Sequence, residues 1–282
     1  MGGIGLNMNW LESLIYGLVS GLTEFLPISS QAHQRLLMQI FGTQSRDPVR
    51  DLFVHFAMLI ALYSGCKVTI EHLRRERNQR IHNKRGQAQT ARILLDERFV
   101  KNAAIPMLIG ILVLSYAFKT DTNLLSAAAL LLINGIILFA SGRMMQGNKD
   151  VRSMTYLDSM LIGGFASLSA FTGISRIGCV TTAAIARGAD RQHSLNWAFF
   201  LSIPALILLM GIDLLKIISG GVGISFWSSF FTYLISAAGA YIAGRYSLKL
   251  MRFLTVRVGF SGFSYYCWGA SLFSFLLYLT VV

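Results

Sequence analysis

Long apolar runs alternate with short polar ones along the chain. Six runs, at 51–68, 100–118, 124–142, 195–216, 226–247 and 262–282, approach the ~20 helical residues needed to cross ~30 Å of hydrocarbon, and they predict six transmembrane helices. Two more stretches, 10–41 and 157–188, are apolar but broken near their middles. Glu24, Pro27, Ser29, Ser30 and His33 interrupt the first; Thr172, Gly173, Ser175 and Arg176 interrupt the second. Proline and glycine break a helical ladder, and broken backbone at membrane depth survives only where protein or a water-filled cavity satisfies the freed groups. Each stretch is therefore expected to be a re-entrant hairpin of helix, loop and helix. The expected fold class is an all-α polytopic membrane protein, with residues 1–282 forming a single integral membrane domain.

The pattern repeats. Phe25-Leu26-Pro27-Ile28-Ser29-Ser30 aligns with Phe171-Thr172-Gly173-Ile174-Ser175-Arg176 at an offset of 146, and the same offset sets Gly17 against Gly163. Each half, about 1–145 and 146–282, then holds one hairpin and three spans. Three is odd, so the halves must lie in opposite orientations across the membrane, an inverted-topology repeat. Paired interrupted segments of this kind point to a binding site near the midplane, at the repeat interface.

Composition agrees with this reading. Of 282 residues, 54% are hydrophobic and only 13% charged, against about a quarter charged in soluble domains. The formal charge of +12 is explained by orientation rather than by nucleic acid. If the run at 51–68 passes from outside to inside, 19 Lys and Arg fall in the inner loops and five in the outer segments, which fits the positive-inside rule and puts both termini outside. The basic 67–101 loop, with Arg74, Arg75, Arg77, Arg80, Lys84 and Arg85, is the largest contributor. It could also meet lipid headgroups. Cys66, Cys179 and Cys267 lie in apolar surroundings with no CxxC pattern, so neither a disulfide frame nor a zinc site is encoded. A small-residue ridge, Gly239, Ala240, Ala243 and Gly244, suits close helix packing within the subunit or between two copies in a homodimer.

Ionised groups at membrane depth are expensive unless paired, which makes Glu24 and Arg176 the first functional candidates. A fixed cation, hydroxyls and glycine-freed N–H groups suit phosphate oxygens. Arg176 with Gly173, Ser175 and Gly178 supplies such a set, and Ser29 and Ser30 add to it from the other tip. Glu24 could bind a divalent cation or act as a base. Ser30 could attack phosphorus, and His33 could hold or receive its proton. Each feature also has a plainer reading: the serines as a helix cap, His33 as a core histidine, and Glu24 with Arg176 as a buried ion pair joining the hairpins.

The strings GLTEFLPISSQAH at 21–33 and GISRIG at 173–178, with Met154-Thr155-Tyr156 and an Asp213-Leu214 after Pro204, resemble the undecaprenyl pyrophosphate phosphatase family of bacteria, also called the bacitracin-resistance protein family. The resemblance runs in order over essentially the whole chain. It implies an enzyme of the bacterial inner membrane that removes the terminal phosphate of the C55 isoprenyl pyrophosphate carrier and recycles it for cell-envelope and peptidoglycan synthesis. It also implies a required divalent cation, Mg or Ca, held at Glu24. Carried over by position, Glu24, Ser29, Ser30 and His33 match the family's first motif, and Arg176 matches the arginine of its second. The chain departs from the pattern at four places. Ser20 stands for the first acid of a pair, Thr172 for a proline, Ile177 for a serine and Val180 for a threonine, with Thr181 a candidate substitute as a substrate contact.

Three readings follow. In the first the chain is a phosphatase acting on a polyprenyl pyrophosphate. In the second it is a non-catalytic relative that binds or translocates a polyprenyl phosphate, and in the third the polar tips only lock two hairpins together.

Overall fold

The computed structural model describes residues 8–43, 46–79, 87–118, 123–145, 147–149, 151, 153–220, 225–257 and 259–281. Helices α1 (Trp10–Glu24) and α2 (Ser30–Ile40) are followed by α3 (Pro48–Gln79), α4 (Gln87–Phe118) and α5 (Leu124–Arg143). The chain then repeats the order. Helix α6 (Tyr156–Ala166) leads through one 3₁₀ turn (Ser167–Ala170) to α7 (Arg176–Ala186), and α8 (Arg191–Gly220), α9 (Ser225–Arg257) and α10 (Ser261–Val281) complete it. Four stretches among the described residues are long and apolar enough to cross a membrane: Pro48–Cys66, Arg98–Phe118, Leu124–Arg143 and Arg191–Gly220. The chain is an all-helical membrane protein. The expected 67–101 loop is shorter than the polarity of its sequence implies, because helix runs on to Gln79 and resumes at Gln87. Charged residues with good helix propensity extend a helix as readily as they end it. Arg80, Lys84 and Arg85 lie outside the described residues.

The two interrupted stretches are helix pairs, and they begin alike. Asn9 caps α1, accepting from Leu11 N and Glu12 N at 2.9 Å each, while Glu12 Oε2 accepts from Asn9 N at 2.8 Å. Thr155 and Asp158 build the same reciprocal box on α6, at 3.1 and 2.8 Å. Asn9 and Thr155 are 146 positions apart, as are Glu12 and Asp158, so the repeat extends to the caps.

Glycines let each first limb approach a long helix at backbone contact. A Cβ on Gly17 would lie 2.0 Å from Ser236 O, and one on Gly21 would lie 2.2 Å from Ala240 O, both on α9. A Cβ on Gly163 would lie 2.0 Å from Ala103 O on α4. The small-residue ridge is therefore used inside the subunit, where Gly239 packs on Leu14 and Leu18 of α1. With α1 on α9, α6 on α4, α3 on α8 and α5 on α10, both loops of the helix pairs are carried into the middle of the bundle.

Candidate active site

The first loop, Phe25–Ser29, ends on Ser29 at φ 66°, a left-handed conformation that only a surrounding structure enforces on a serine. The second passes through Gly173 at φ 126°, where a Cβ would also lie 2.4 Å from Leu130 Cβ. Only glycine fits there. The loops are sewn together: Gly173 N donates to Ser29 Oγ at 3.1 Å, and Ser175 Oγ donates to Leu26 O at 3.4 Å. Asn134, fully buried on α5, joins both at once, donating from Nδ2 to Pro27 O at 2.9 Å and accepting from Ser175 N on Oδ1 at 2.9 Å.

Glu24 and Arg176 meet across this junction. Arg176 Nη2 donates to Glu24 Oε1, Arg176 Nε donates to Ser202 Oγ at 3.2 Å, and Ser30 Oγ donates to Glu24 Oε2 at 2.5 Å. Both charged side chains are buried. They line a recess of about 30 Å³ together with Ser29, Ser30, Ser175 and His55, room for a water molecule or two. His55 and Arg176 are shared with a wider chamber of about 510 Å³. Its polar wall includes Arg46, Asp213 and Lys216, and its apolar wall includes Ile111 and Leu112 of α4 and Leu209 and Ile212 of α8. A recess holding a carboxylate, a hydroxyl and a guanidinium thus opens into a cationic, half-apolar chamber, the shape of a site for an anionic headgroup on a lipid.

His33, expected beside Ser30, turns the other way. Its Nδ1–H donates to Ser29 O at 2.8 Å, which leaves Nε2 to accept from Tyr266 Oη at 2.8 Å; in a neutral ring one nitrogen donates and the other accepts. The ring stacks on Tyr266 and is not part of the recess lining. Gly173 N is spent on Ser29, and Gly178 N is spent on the Ser175 cap at 3.2 Å. Thr181 Oγ1 bonds back to Ile177 O at 2.7 Å within its own helix, so it replaces no lost phosphate donor. Ser20, at the position of the missing acid, accepts from Gln34 Nε2 at 3.1 Å and ties α1 to α2.

His55 and Asp213 were not singled out for chemistry in the sequence. His55, on α3, donates from Nδ1 to Asp213 Oδ2 on α8 at 2.7 Å. They are 158 positions apart, and each lies in an apolar run, His55 four residues after Asp51 and Asp213 three before Lys216. Intramembrane ionisable residues are functional candidates singly, and that signal alone could have found them.

The donors for a divalent cation are few. Among the described residues no three His, Cys, Asp or Glu side chains converge. Both oxygens of Glu24 are engaged, and Asp213 Oδ2 is held by His55. These residues do not fit a resident cation, which needs several oxygen ligands.

The model of the family described as "Bacitracin resistance protein BacA" matches residues 13–273. The chain is 28% identical over 277 residues to undecaprenyl-diphosphatase 3 of Bacillus cereus, covering 98% of this chain and all of that one. It is 27% identical to the undecaprenyl-diphosphatases of Halothermothrix orenii, over 93% of this chain and 95% of that one, and of Methanococcus maripaludis, over 93% and 98%. The matched region takes in both loops, Glu24, Ser30, Arg176, His55 and Asp213, and the chain belongs to the bacitracin resistance protein BacA family.

Proposed function

We propose that this chain hydrolyses a polyprenyl diphosphate, in the first instance undecaprenyl diphosphate, to the monophosphate and inorganic phosphate, recycling a lipid carrier. The observation that carries this reading is the convergence of Glu24, Ser30 and Arg176 on one recess that opens into a chamber with a cationic and an apolar wall. The relatives' names support it, and nothing in the site favours the carrier reading over it. The chamber takes the diphosphate beside Arg46 and Lys216, with the first isoprene units against α4 and α8. Arg176 turns from Glu24 to the terminal phosphoryl group, where its planar fork matches two oxygens. Helix α2 begins at Ser30 with no side chain capping it, so its first N–H groups are available to the same oxygens. Ser30 Oγ attacks phosphorus and gives its proton to Glu24 Oε2. Catalysis by such a set is mostly positioning and electrostatics.

The finer architecture belongs to the same proposal: six spans and two re-entrant hairpins in one domain, repeated in inverted orientation. The enzyme then sits in the inner membrane with both termini outside and the chamber facing outward. The shared caps, the shared glycine contacts and the excess of inner basic residues support it.

The test is phosphate release by the purified chain from C55 diphosphate, with and without added Mg²⁺, Ca²⁺ or chelator. Turnover that Glu24→Ala and Ser30→Ala abolish is expected. Wild type that releases no phosphate under any of these conditions overturns the reading.

A further inference from the structure

Attack by Ser30 leaves phospho-Ser30, which water must hydrolyse in a second step, and that step leaves one proton unaccounted for. When Ser30 attacks, its proton passes to Glu24, and it stays there until Ser30 departs. The water that must next attack phospho-Ser30 needs a different acceptor. Of the ten residues lining the recess, Glu24 and His55 are the two whose side chains can serve as a base. His55 has the form such an acceptor requires. Its Nδ1–H is fixed on Asp213 Oδ2 at 2.7 Å, which sets the tautomer, and Nε2 has no hydrogen-bond partner among the described residues. A carboxylate that orients one imidazole nitrogen so that the other can take a proton is a recurrent catalytic arrangement.

We propose that His55 is the catalytic base of the second step and that Asp213 is its positioning residue; this rests on the phosphatase reading above. In the first step Ser30 Oγ bonds to the terminal phosphorus, the bridging P–O bond breaks, and its electron pair leaves on the lipid monophosphate. In the second, the water oxygen bonds to phosphorus while one of its protons passes to His55 Nε2. The P–Oγ bond then breaks and Ser30 Oγ recovers the proton held by Glu24. Phosphate leaves, and His55 releases its proton to chamber water.

A competing account makes His55 and Asp213 only a clamp between α3 and α8. The two separate in a pre-steady-state experiment on the full chain in detergent, with an excess of C55 diphosphate labelled in its terminal phosphate. His55→Gln is expected to keep a burst of about one C55 monophosphate per chain. Label should accumulate on Ser30, and kcat should fall about 10²- to 10⁴-fold, the usual worth of a proton-transfer group. Asp213→Asn is expected to act in the same direction, less strongly, and to add nothing in a His55→Gln background. Imidazole added to His55→Ala should restore part of the lost rate. Because Asp213→Asn is read alongside, loss of fold in one variant leaves the other to decide. The proposal is overturned if His55→Gln keeps the wild-type kcat, if burst and steady rate fall together, if no label accumulates on Ser30, or if the Asp213→Asn effect adds in full. Wild type that releases no phosphate overturns the phosphatase reading itself, which is a separate and earlier failure.

Discussion

At the start of α7, Ser175 does what a serine before a helix ordinarily does, accepting from Gly178 N on its side chain. At the start of α2 the equivalent Ser29 does not. Its left-handed backbone turns the hydroxyl away from its own helix to Gly173 of the other loop, and no side chain caps α2. The next residues, Ser30 and Arg176, are also equivalent under the offset of 146, and both reach Glu24. One backbone plan, used twice, thus yields an uncapped helix start with a hydroxyl on one side and a capped start with a guanidinium on the other. The difference teaches that equivalent positions on one repeated backbone plan can carry different chemistry: on the proposed function, the nucleophile comes from one half and the charge stabiliser from the other.

The largest expected effect comes from removing the pair that joins the copies. Glu24→Ala leaves a buried guanidinium without its partner, which costs about 3–5 kcal/mol of stability, and turnover disappears with it. Glu24→Leu with Arg176→Met should recover most of that stability and none of the turnover, since an apolar pair of similar volume is often neutral or better. Thermal melting and phosphate release on the three proteins check this. A double variant as unstable as Glu24→Ala would mean that the pair is chiefly a structural lock.

Next is the scaffold. Gly163→Ala puts a methyl group 2.0 Å from Ala103 O, whereas a Cβ on its neighbour Gly164 meets nothing within 4 Å. Overpacking should cost about 1–3 kcal/mol at Gly163, against a gain of up to about 1 kcal/mol at Gly164 from helix propensity. Gly17→Ala, against Ser236 O, should match Gly163→Ala. Unequal losses measured by chemical denaturation would show that the two copies lean on their long helices differently.

Of similar size is the effect of the residues that hold the loops. Asn134→Leu removes the bonds to Pro27 and Ser175 and strands both backbone groups, costing about 1–3 kcal/mol. His33→Phe releases the carbonyl of Ser29 and should lower kcat about 10-fold with little change in KM, because His33 orients the turn and lies off the recess lining. A loss as large as that of Ser30→Ala would return His33 to the proton-transfer role that its place in the sequence suggests.

These residues also mark where sequence reading stops. The interrupted stretches, the repeat and the candidates Glu24 and Arg176 are legible because proline, glycine and charge are conspicuous in apolar runs. The direction of His33 is not, because it follows from the φ of Ser29, which depends on the other loop. Asn134, His55 and Asp213 are single polar residues on separate helices, and the partners that give them meaning lie on other elements. Their meaning lies in contacts more than 40 and, for the His–Asp pair, 158 positions apart. Ser20 is legible as a lost acid, yet its bond to Gln34 is visible only in the folded pair.

The smallest effect compares the helix that follows each interrupted helix pair. Asp47 opens α3, accepting from Val49 N at 3.0 Å, and Asp190 opens α8, accepting from Gln192 N at 2.8 Å and His193 N at 2.9 Å. Burial alone would raise the Asp190 carboxyl. The backbone N–H groups and the His193 ring that bond its ionised form outweigh this and hold it below its ordinary value of 3.8. A carboxyl depressed in the folded state adds stability above its unfolded value, and that stability is lost as pH falls through the folded value. Asp190→Ala should therefore cost about 1 kcal/mol near pH 6, and progressively less below pH 3.8. Asp190→Asn keeps a cap that cannot ionise, so its melting temperature should fall less steeply with acid than that of the wild type. If Asp190→Ala cost the same at pH 3 as at pH 6, the cap would be acting through its shape alone, and the charge at the start of α8 would have no part in stabilising it.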